Sequence, residues 1–106
     1  MIDRQARAEL RTRVKNALTE VDRCAAFDPK RADLWEAIRK QLRALDLWMK
    51  DDRLPSRENL DQIMVGNIAV RELGDTYEET PPPFRPLREE LVIIQDDVMN
   101  FYEPFP

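Results

Sequence analysis

Apolar residues recur at steps of three and four along most of this chain, and prolines interrupt the pattern. Such spacing places apolar side chains on one face of an α-helix. Proline lacks an amide hydrogen and clashes with the preceding turn, so it marks where one helix ends and the next begins. The breaks at Pro29, Pro55 and residues 81–83 therefore predict four amphipathic helices that share one core.

A chain of 106 residues forms one domain with a modest core. It contains two glycines and is rich in Ala, Leu, Arg and Glu, which favours helix over sheet. We expect no membrane-spanning segment, because no apolar run approaches about 18 residues, and residues 1–16 lack the apolar region of a secretory signal. The lone Cys24 cannot form an internal disulfide, which fits a cytoplasmic protein. We predict a single cytoplasmic domain over residues 1–106.

The first two predicted helices span about residues 3–26 and 29–50. The apolar stripe of the first helix contains Ala6, Leu10, Val14, Ala17 or Leu18, Val21 and Ala25. One face of the second contains Leu34, Ile38, Leu42, Leu45 and Met49, and it is flanked by Trp35 and Trp48. Asp28 is expected to cap the second helix, because its side chain can accept a hydrogen bond from a free amide of the first turn. Pro29 suits the first helical position.

The third predicted helix begins after Ser56, a favourable N-cap residue, and continues to about Glu79. Its seam contains Leu60, Ile63, Asn67, Val70, Gly74 and Tyr77. A glycine inside a helix costs about 1 kcal/mol relative to alanine. Either Gly74 permits a close contact between helices or the helix stops there, and the phase of Tyr77 favours the close contact.

Residues 81–83 are all proline and form a stiff corner, because a helix interior does not accept them. The fourth helix follows, from about residue 85 or 86 to 101, with an inward face that contains Leu87, Leu91, Ile94, Val98 and Phe101. The tail, residues 103–106, is expected to be irregular.

These elements predict an all-α fold. It is a small helical bundle built on a long antiparallel hairpin of the second and third helices, with an extra N-terminal helix and a C-terminal helix after the proline-rich corner. The chain has more apolar helical surface than we expect a thin bundle to bury alone, so we predict a homodimer. The candidate residues for the seam of the core or of the dimer are Trp35, Trp48, Leu60, Ile63, Val70 and Tyr77.

No residue pattern points to an enzyme. The chain has no histidine, which removes the usual general base and the commonest metal ligand. Cys24 ends an apolar stripe and is expected to be a buried, unreactive thiol. Glu58 with Asp61, and Glu72 with Asp75, would share one face of the third helix and could hold Mg²⁺ in an all-α nucleotide hydrolase. A solvated helix face explains them better, so we predict no catalysis, no metal and no cofactor.

Charge is divided between the two halves of the sequence: residues 1–50 carry a net +4 and residues 51–106 a net −8. Either the halves complement each other within the fold or a dimer, or the acidic half recognises a basic partner. The candidate partner-binding residues are Glu72, Asp75, Glu78 and Glu79. They compete with internal pairing to the basic stripe of the first helix, which contains Arg4, Arg7, Arg11 and Lys15. Aromatic residues do not interleave this stripe, so nucleic acid is not an expected partner.

A group of residues between positions 34 and 90 has a recognisable spacing: Leu45-Asp46, Asp51-Asp52, Pro55, Leu60-Asp61-Gln62-Ile63-Met64-Val65-Gly66, Ala69, Glu72-Leu73, Tyr77-Glu78, Pro82-Pro83-Phe84, Leu87 and Glu89-Glu90. In these residues the chain resembles the small immunity proteins that neutralise cytoplasm-acting toxins of the type VI secretion system. The spacing matches without a gap from Leu45 to Gly66, and a deletion precedes Pro82. This chain departs from the family by a segment before residue 34 and by a longer C-terminal helix.

The resemblance implies a helical hairpin that forms a homodimer and binds its cognate toxin stoichiometrically in the cytoplasm of the producing cell. Such a protein does no chemistry and acts by occluding the toxin. Two alternatives stay open: a helical secretion chaperone or assembly adaptor whose apolar seam holds an amphipathic client segment, and the Mg²⁺-dependent nucleotide hydrolase. A neighbouring gene that is toxic when expressed alone would favour the immunity protein.

Overall fold

Five α-helices and three single 3₁₀ turns make up the regular structure of residues 1–103, the part of the chain that this computed structural model describes. The helices are α1 (Arg4–Phe27), α2 (Ala32–Trp48), α3 (Arg57–Leu60), α4 (Val65–Glu72) and α5 (Arg85–Met99). The 3₁₀ turns are Pro29–Arg31, Lys50–Asp52 and Pro82–Phe84. The predicted all-α bundle is confirmed. The irregular structure predicted for residues 104–106 lies outside the described residues.

The four longer helices run alternately up and down around a common core. Contacts join the start of one helix to the end of its neighbour in each of the pairs α1–α2, α2–α4, α4–α5 and α5–α1. The most extensive packing joins α1 to α2, α1 to α5 and α4 to α5. The predicted antiparallel hairpin corresponds to α2 and α4, which pack less extensively on each other.

α1 lies between α2 and α5 and follows its predicted pattern. The Asp3 carboxylate accepts a hydrogen bond from the Ala6 amide at 2.8 Å and so caps the first turn. The buried positions recur at steps of three and four: Leu10, Val14, Ala17, Val21 and Cys24. The inward face predicted for the last helix is also confirmed, because Leu87, Leu91, Ile94, Val98 and Phe101 are all buried.

Trp35 is fully buried in the core, whereas Trp48 is half-buried at its edge. The Trp35 indole N–H donates to the Asp28 carbonyl at 2.8 Å, so the polar end of the ring is satisfied. Asp28 was expected to cap the second helix, and this prediction is wrong: no capping hydrogen bond forms. Its carboxylate binds Arg31 at 2.6 Å instead, because the 3₁₀ turn at Pro29–Arg31 precedes α2.

The turn after α2 contains two consecutive residues in the left-handed region, Asp51 (φ 58°) and Asp52 (φ 60°). Aspartate tolerates this conformation better than most residues, because its short side chain can bond locally. The Asp52 carboxylate approaches Arg4 at 3.5 Å and Arg7 at 3.6 Å. The turn therefore joins the end of α2 to the start of α1.

The predicted third helix is interrupted, which corrects the expectation of one helix from residue 56 to 79. α3 does begin with the predicted cap, since the Ser56 hydroxyl accepts a hydrogen bond from the Asn59 amide at 3.0 Å. It ends after a single turn at Leu60, the chain bends, and α4 begins at Val65. The pair Glu58 and Asp61 therefore lies on α3 and the bend, apart from α4.

Two glutamines from neighbouring helices replace helical hydrogen bonds at this bend. The side-chain oxygen of Gln41 accepts from the Met64 amide at 2.6 Å, and that of Gln95 accepts from the Gly66 amide at 3.0 Å. The Gln95 side-chain amide donates to the Ile63 carbonyl at 2.8 Å. Gly66 makes room for this contact, because a Cβ at its position would lie 2.4 Å from the Gln95 Cβ. The bend is therefore fixed by residues that are distant in sequence.

α4 ends at Glu72, so the prediction that the helix continues through Gly74 is wrong. The Gly74 amide donates to the Ala69 carbonyl at 3.2 Å and closes the last turn. Gly74 does permit a close contact, but the contact is with the loop residue Thr80 and not with another helix. A Cβ at position 74 would lie 2.3 Å from the Thr80 Oγ1 atom.

The predicted seam of the third helix is only partly in the core. Leu60 and Ile63 are buried, and Val70 is half-buried. Asn67 is exposed and Tyr77 is 48% exposed, so their expected inward positions are wrong. The bend at residues 61–64 changes the helical phase of Asn67, and Tyr77 lies beyond the end of α4.

The chain buries a normal amount of surface without a partner. Its accessible surface is 6503 Å², close to the roughly 6,200 Å² typical of a folded monomer of this mass. This total does not separate apolar from polar area, and within residues 1–103 several large apolar side chains stay exposed, Leu47 and Leu54 among them. The homodimer therefore stays a prediction. Across residues 1–103, no helix has the length and apolar character needed to cross a membrane.

Candidate interaction surface

The predicted partner-binding carboxylates lie on one surface segment, residues 72–80, which we call the acidic loop. Glu72 is the last residue of α4, and Asp75, Glu78 and Glu79 follow in the irregular stretch before the proline-rich corner. All four residues are exposed. The sequence placed them on a helix; the structure places them on a loop that follows one, and the pair Glu72 and Asp75 does not share a helical face.

The first half of the acidic loop is held by Arg88 of α5. Arg88 is buried, and its guanidinium donates to the Gly74 carbonyl at 3.2 Å and to the Asp75 carbonyl at 2.6 Å. Its remaining nitrogen lies 3.2 Å from the Glu89 carboxylate. A buried guanidinium requires acceptors for its donors, and loop carbonyls supply most of them.

The second half of the loop is held by Arg85, also from α5. Its Nε atom donates to the carbonyls of Tyr77 and Thr80, each at 2.9 Å, and its terminal nitrogen donates to the Glu78 carbonyl at 3.2 Å. The guanidinium also lies 4.8 Å from the centre of the Tyr77 ring, a cation–π distance. Arg85 thus fixes the backbone from Tyr77 to Thr80.

Hydrogen bonds inside the loop add to this restraint. The Thr80 side chain is buried, and its hydroxyl donates to the Thr76 carbonyl at 2.7 Å. The Thr76 hydroxyl accepts from the Glu79 amide at 3.2 Å. These contacts use backbone groups and threonine hydroxyls, so the carboxylates themselves are left free to point into solvent.

The acidic loop does not pair with the basic first helix, so that explanation of the charge pattern is wrong for this cluster. Among residues 1–103, only one of the four carboxylates has an ion pair, that of Glu72 with its exposed neighbour Arg71 at 3.2 Å. The basic residues of α1 that form ion pairs to other elements do so elsewhere: Arg4 and Arg7 with Asp52, and Arg13 with Glu90. The opposite charges of the two halves therefore pair with each other only in part, and the carboxylates of the acidic loop are not among the groups that pair with the first half.

Positive charge lies directly beneath the acidic loop, so the negative electrostatic field of the loop extends only a short distance. Arg85 and Arg88 lie on the inner side of the backbone, whereas Asp75, Glu78 and Glu79 are on the outer side. At a distance the two layers of charge offset each other. A basic group that comes into contact with the loop meets the carboxylates first, so the surface suits short-range recognition more than long-range steering.

The other candidates from the sequence fall on ordinary structural positions. Cys24 is buried, and burial raises the pKa of its thiol, which keeps it in the unreactive form. Within the described part of the chain, no three His, Cys, Asp or Glu residues gather in a way that could hold a metal ion. Lys15 of the basic stripe is exposed and Arg11 is half-buried.

A second surface feature was missed by the sequence analysis. A groove of about 430 Å³ runs between the bend at residues 61–64 and the end of α5, with Met64 and Met99 on its walls. Met99 is 69% exposed and Met64 is 43% exposed. Met99 lies outside the apolar stripe of its helix, and that position was the one signal in the sequence.

Comparisons with known proteins identify no relative. A scan against protein-family models found no match, and neither did a search of the curated proteins or of the solved structures.

Proposed function

We propose that this protein is an immunity protein, which binds and occludes a cognate secreted toxin in the cytoplasm of the cell that makes both. The acidic loop is the surface that meets the toxin. One observation carries the proposal: Asp75, Glu78 and Glu79 are exposed and form no ion pair with any other residue of 1–103, on a backbone that Arg85 and Arg88 hold in place.

A loop of this kind suits tight binding without chemistry. Its backbone is already ordered, so the loop loses less conformational entropy on binding than a flexible loop would. Exposed carboxylates form charge-assisted hydrogen bonds with lysine or arginine, and those bonds are stronger than neutral ones. Occluding a toxin in a fixed ratio requires a binding surface and no catalytic group. The resemblance of residues 34–90 to immunity proteins supports the same conclusion.

The direct test is co-expression with the neighbouring gene. We expect the neighbouring product to arrest growth when expressed alone and to be harmless when this chain is present. The two proteins should then purify together in a fixed ratio. A neighbour that is harmless alone, or whose toxicity this chain does not relieve, contradicts the proposal; a harmless neighbour from a secretion operon would favour the adaptor instead.

The acidic loop itself is tested by charge reversal. The variant Glu72→Lys, Asp75→Lys, Glu79→Lys should lose protection and bind the toxin at least tenfold more weakly, because lysine repels a basic surface. Its circular dichroism spectrum and melting temperature should stay close to those of the unaltered protein, since the loop is held through backbone carbonyls and exposed charges contribute little to stability.

A matched control makes the same change in net charge at scattered exposed sites. The variant Glu9→Lys, Asp33→Lys, Glu58→Lys alters three carboxylates on α1, α2 and α3. It should protect cells as well as the unaltered protein does. Full protection by the loop variant would move the toxin-binding face elsewhere, and equal loss in both variants would show that net charge alone matters.

The predicted homodimer belongs to this proposal. Exposed Leu47 and Leu54, beside half-buried Trp48, form the apolar face that supports it. Light scattering at high micromolar concentration should give the mass of two chains, and the variant Leu47→Glu, Leu54→Glu should give one. A single-chain mass for the unaltered protein rules the dimer out.

A further inference from the structure

The groove between the bend and the end of α5 has an apolar interior and a fixed shape. Its floor includes Ile63 and Val98, both of which belong to the buried core. The exposed thioethers of Met64 and Met99 form its walls. Methionine is flexible and polarisable, so it adapts to differently shaped apolar side chains and is common on surfaces that bind helices.

The groove is formed without a ligand because hydrogen bonds hold its edges. Gln95 ties α5 to the bend through the Ile63 carbonyl at 2.8 Å and to α4 through the Gly66 amide at 3.0 Å. At the far end, the Tyr102 hydroxyl donates to the Pro55 carbonyl. A preformed groove of this size lies within the range of about 300–1,000 Å³ that binding sites occupy.

The rim of the groove is acidic. Asp61 and Glu103 line it, and Asp96 lies in an adjoining recess that shares Gln95 and Met99 with the groove. All three are exposed, and within residues 1–103 none of them forms an ion pair. The one basic residue in the lining, Arg57, lies over the Tyr102 ring at 5.0 Å. Two carboxylates in the lining and a third in the adjoining recess therefore border an exposed apolar strip.

We propose that this groove binds an amphipathic helix of a partner protein, with apolar anchors at helical spacing and lysine or arginine on their flanks. The anchors would lie between Met64 and Met99, and the basic flanks would meet Asp61, Asp96 and Glu103. A second copy of this chain fits less well, because a twofold contact at the groove would bring the acidic rims together. Charge complementarity therefore selects a basic partner.

This surface is separate from the acidic loop and does not depend on the proposed function. The groove lies beside the first residues of α4, and the acidic loop begins at its last residue. The helix between them has eight residues, or roughly 12 Å. Each surface can therefore be altered without touching the other.

The test uses a synthetic probe. The full chain is titrated into a fluorescent peptide of about 18 leucines and lysines. The leucines are placed so that they form one apolar face over roughly five helical turns. We expect saturable one-to-one binding by fluorescence anisotropy, with a Kd in the micromolar range. A peptide with glutamate in place of lysine should bind at least tenfold more weakly, because it meets the rim with like charge.

Variants locate the binding. Met64→Ser with Met99→Ser, and separately Asp61→Lys with Asp96→Lys, should each weaken binding of the basic peptide about tenfold or more while the melting temperature changes little. Two controls should stay within about twofold of the unaltered protein. They are Phe27→Ser with Ile93→Ser, which removes exposed apolar side chains outside the groove, and the triple reversal in the acidic loop.

Four outcomes overturn the proposal. The first is an absence of saturable binding, and the second is equal affinity for the basic and acidic peptides. The third is a Met64→Ser, Met99→Ser variant that changes from dimer to monomer in light scattering, which would make a second copy the occupant. The fourth is binding that occurs only in a variant that ends at Glu103, which would make the chain's own last residues the occupant.

Discussion

The α1–α2 pair and the segment 57–80 both cover the core, but they are specified in different ways. Each helix of the pair is continuous, and its buried residues follow the period of a helix. The segment 57–80 consists of one helical turn, a bend, a short helix and a loop. Side chains from other elements hold it: Gln41 and Gln95 at the bend, and Arg85 and Arg88 at the loop.

The difference shows where local pattern is enough. An apolar stripe that repeats over about six turns determines its own helix, because each additional turn adds burial to the same face. A segment of about two turns buries too few side chains on one face to determine its own helix. Its hydrogen bonds are decided by whichever distant donors and acceptors reach it. The acidic loop and one wall of the groove lie in that part of the chain.

The largest expected effect is on the α1–α2 side. Trp35→Ala removes a fully buried ring and should lower the free energy of unfolding by about 3–5 kcal/mol. Urea unfolding followed by circular dichroism measures this change. Trp48→Ala, at a half-buried position, is the matched control and should cost clearly less. Equal costs would mean that the two tryptophans do not differ in their share of the core.

The loop side should respond to Arg88→Met, which keeps much of the side-chain length and removes the donors. We expect a loss of about 1.5–3 kcal/mol, because the Gly74 and Asp75 carbonyls lose charged partners. Amide hydrogen exchange should speed up most at Leu73 and Gly74, whose amides donate to the Ala69 carbonyl beside the released Gly74 and Asp75 carbonyls. If exchange instead rises evenly through α1 and α2, the loop is not a separately held unit.

The bend should respond to Gly66→Ala. The added methyl group would lie 2.4 Å from the Gln95 Cβ atom, so α4 and α5 must move apart, at a cost of about 1–3 kcal/mol. Asn67→Ala changes the next, exposed residue and should alter stability by no more than about 0.5 kcal/mol. A Gly66→Ala variant as stable as the unaltered protein would mean that the bend is soft.

The smallest effect is expected at Asp97 on α5. Burial raises the pKa of this carboxyl, Asp96 and Glu9 raise it further, and Arg13 opposes them. The folded-state pKa lies above the unfolded value, so the folded chain favours the neutral carboxyl. The contribution of Asp97 to stability is therefore greatest at low pH and is lost as pH rises through the folded pKa. Asp97→Asn should therefore melt slightly higher at neutral pH, by less than about 4 °C, and lose that advantage in acid. Asp96→Asn is the matched control. An advantage for Asp97→Asn that persists in acid would contradict the assignment.

The sequence predicted the all-α class, the bounds of α1 and α5 to within about two residues, and the burial of Cys24. It left Trp35 and Trp48 together as candidates for the core or the dimer seam. It failed at Asn67, because the seam was extended through a bend that Gln41 and Gln95 hold, and at Tyr77, because α4 ends at Glu72. It found the four acidic residues but not the arginines that hold their backbone. Nothing in the sequence marks Arg85 and Arg88 as residues that hold a loop, since an arginine in a helix is ordinarily solvated.

Every amino acid has a backbone carbonyl, and this has a consequence for how the acidic loop can change. The arginines of α5 bind the loop through the carbonyls of Gly74, Asp75, Tyr77, Glu78 and Thr80. The side chains at positions 75, 78 and 79 are thus uncoupled from the fold, and substitutions there accumulate at little cost to stability. A library randomised at these three positions should consist mostly of folded proteins that differ in what they bind.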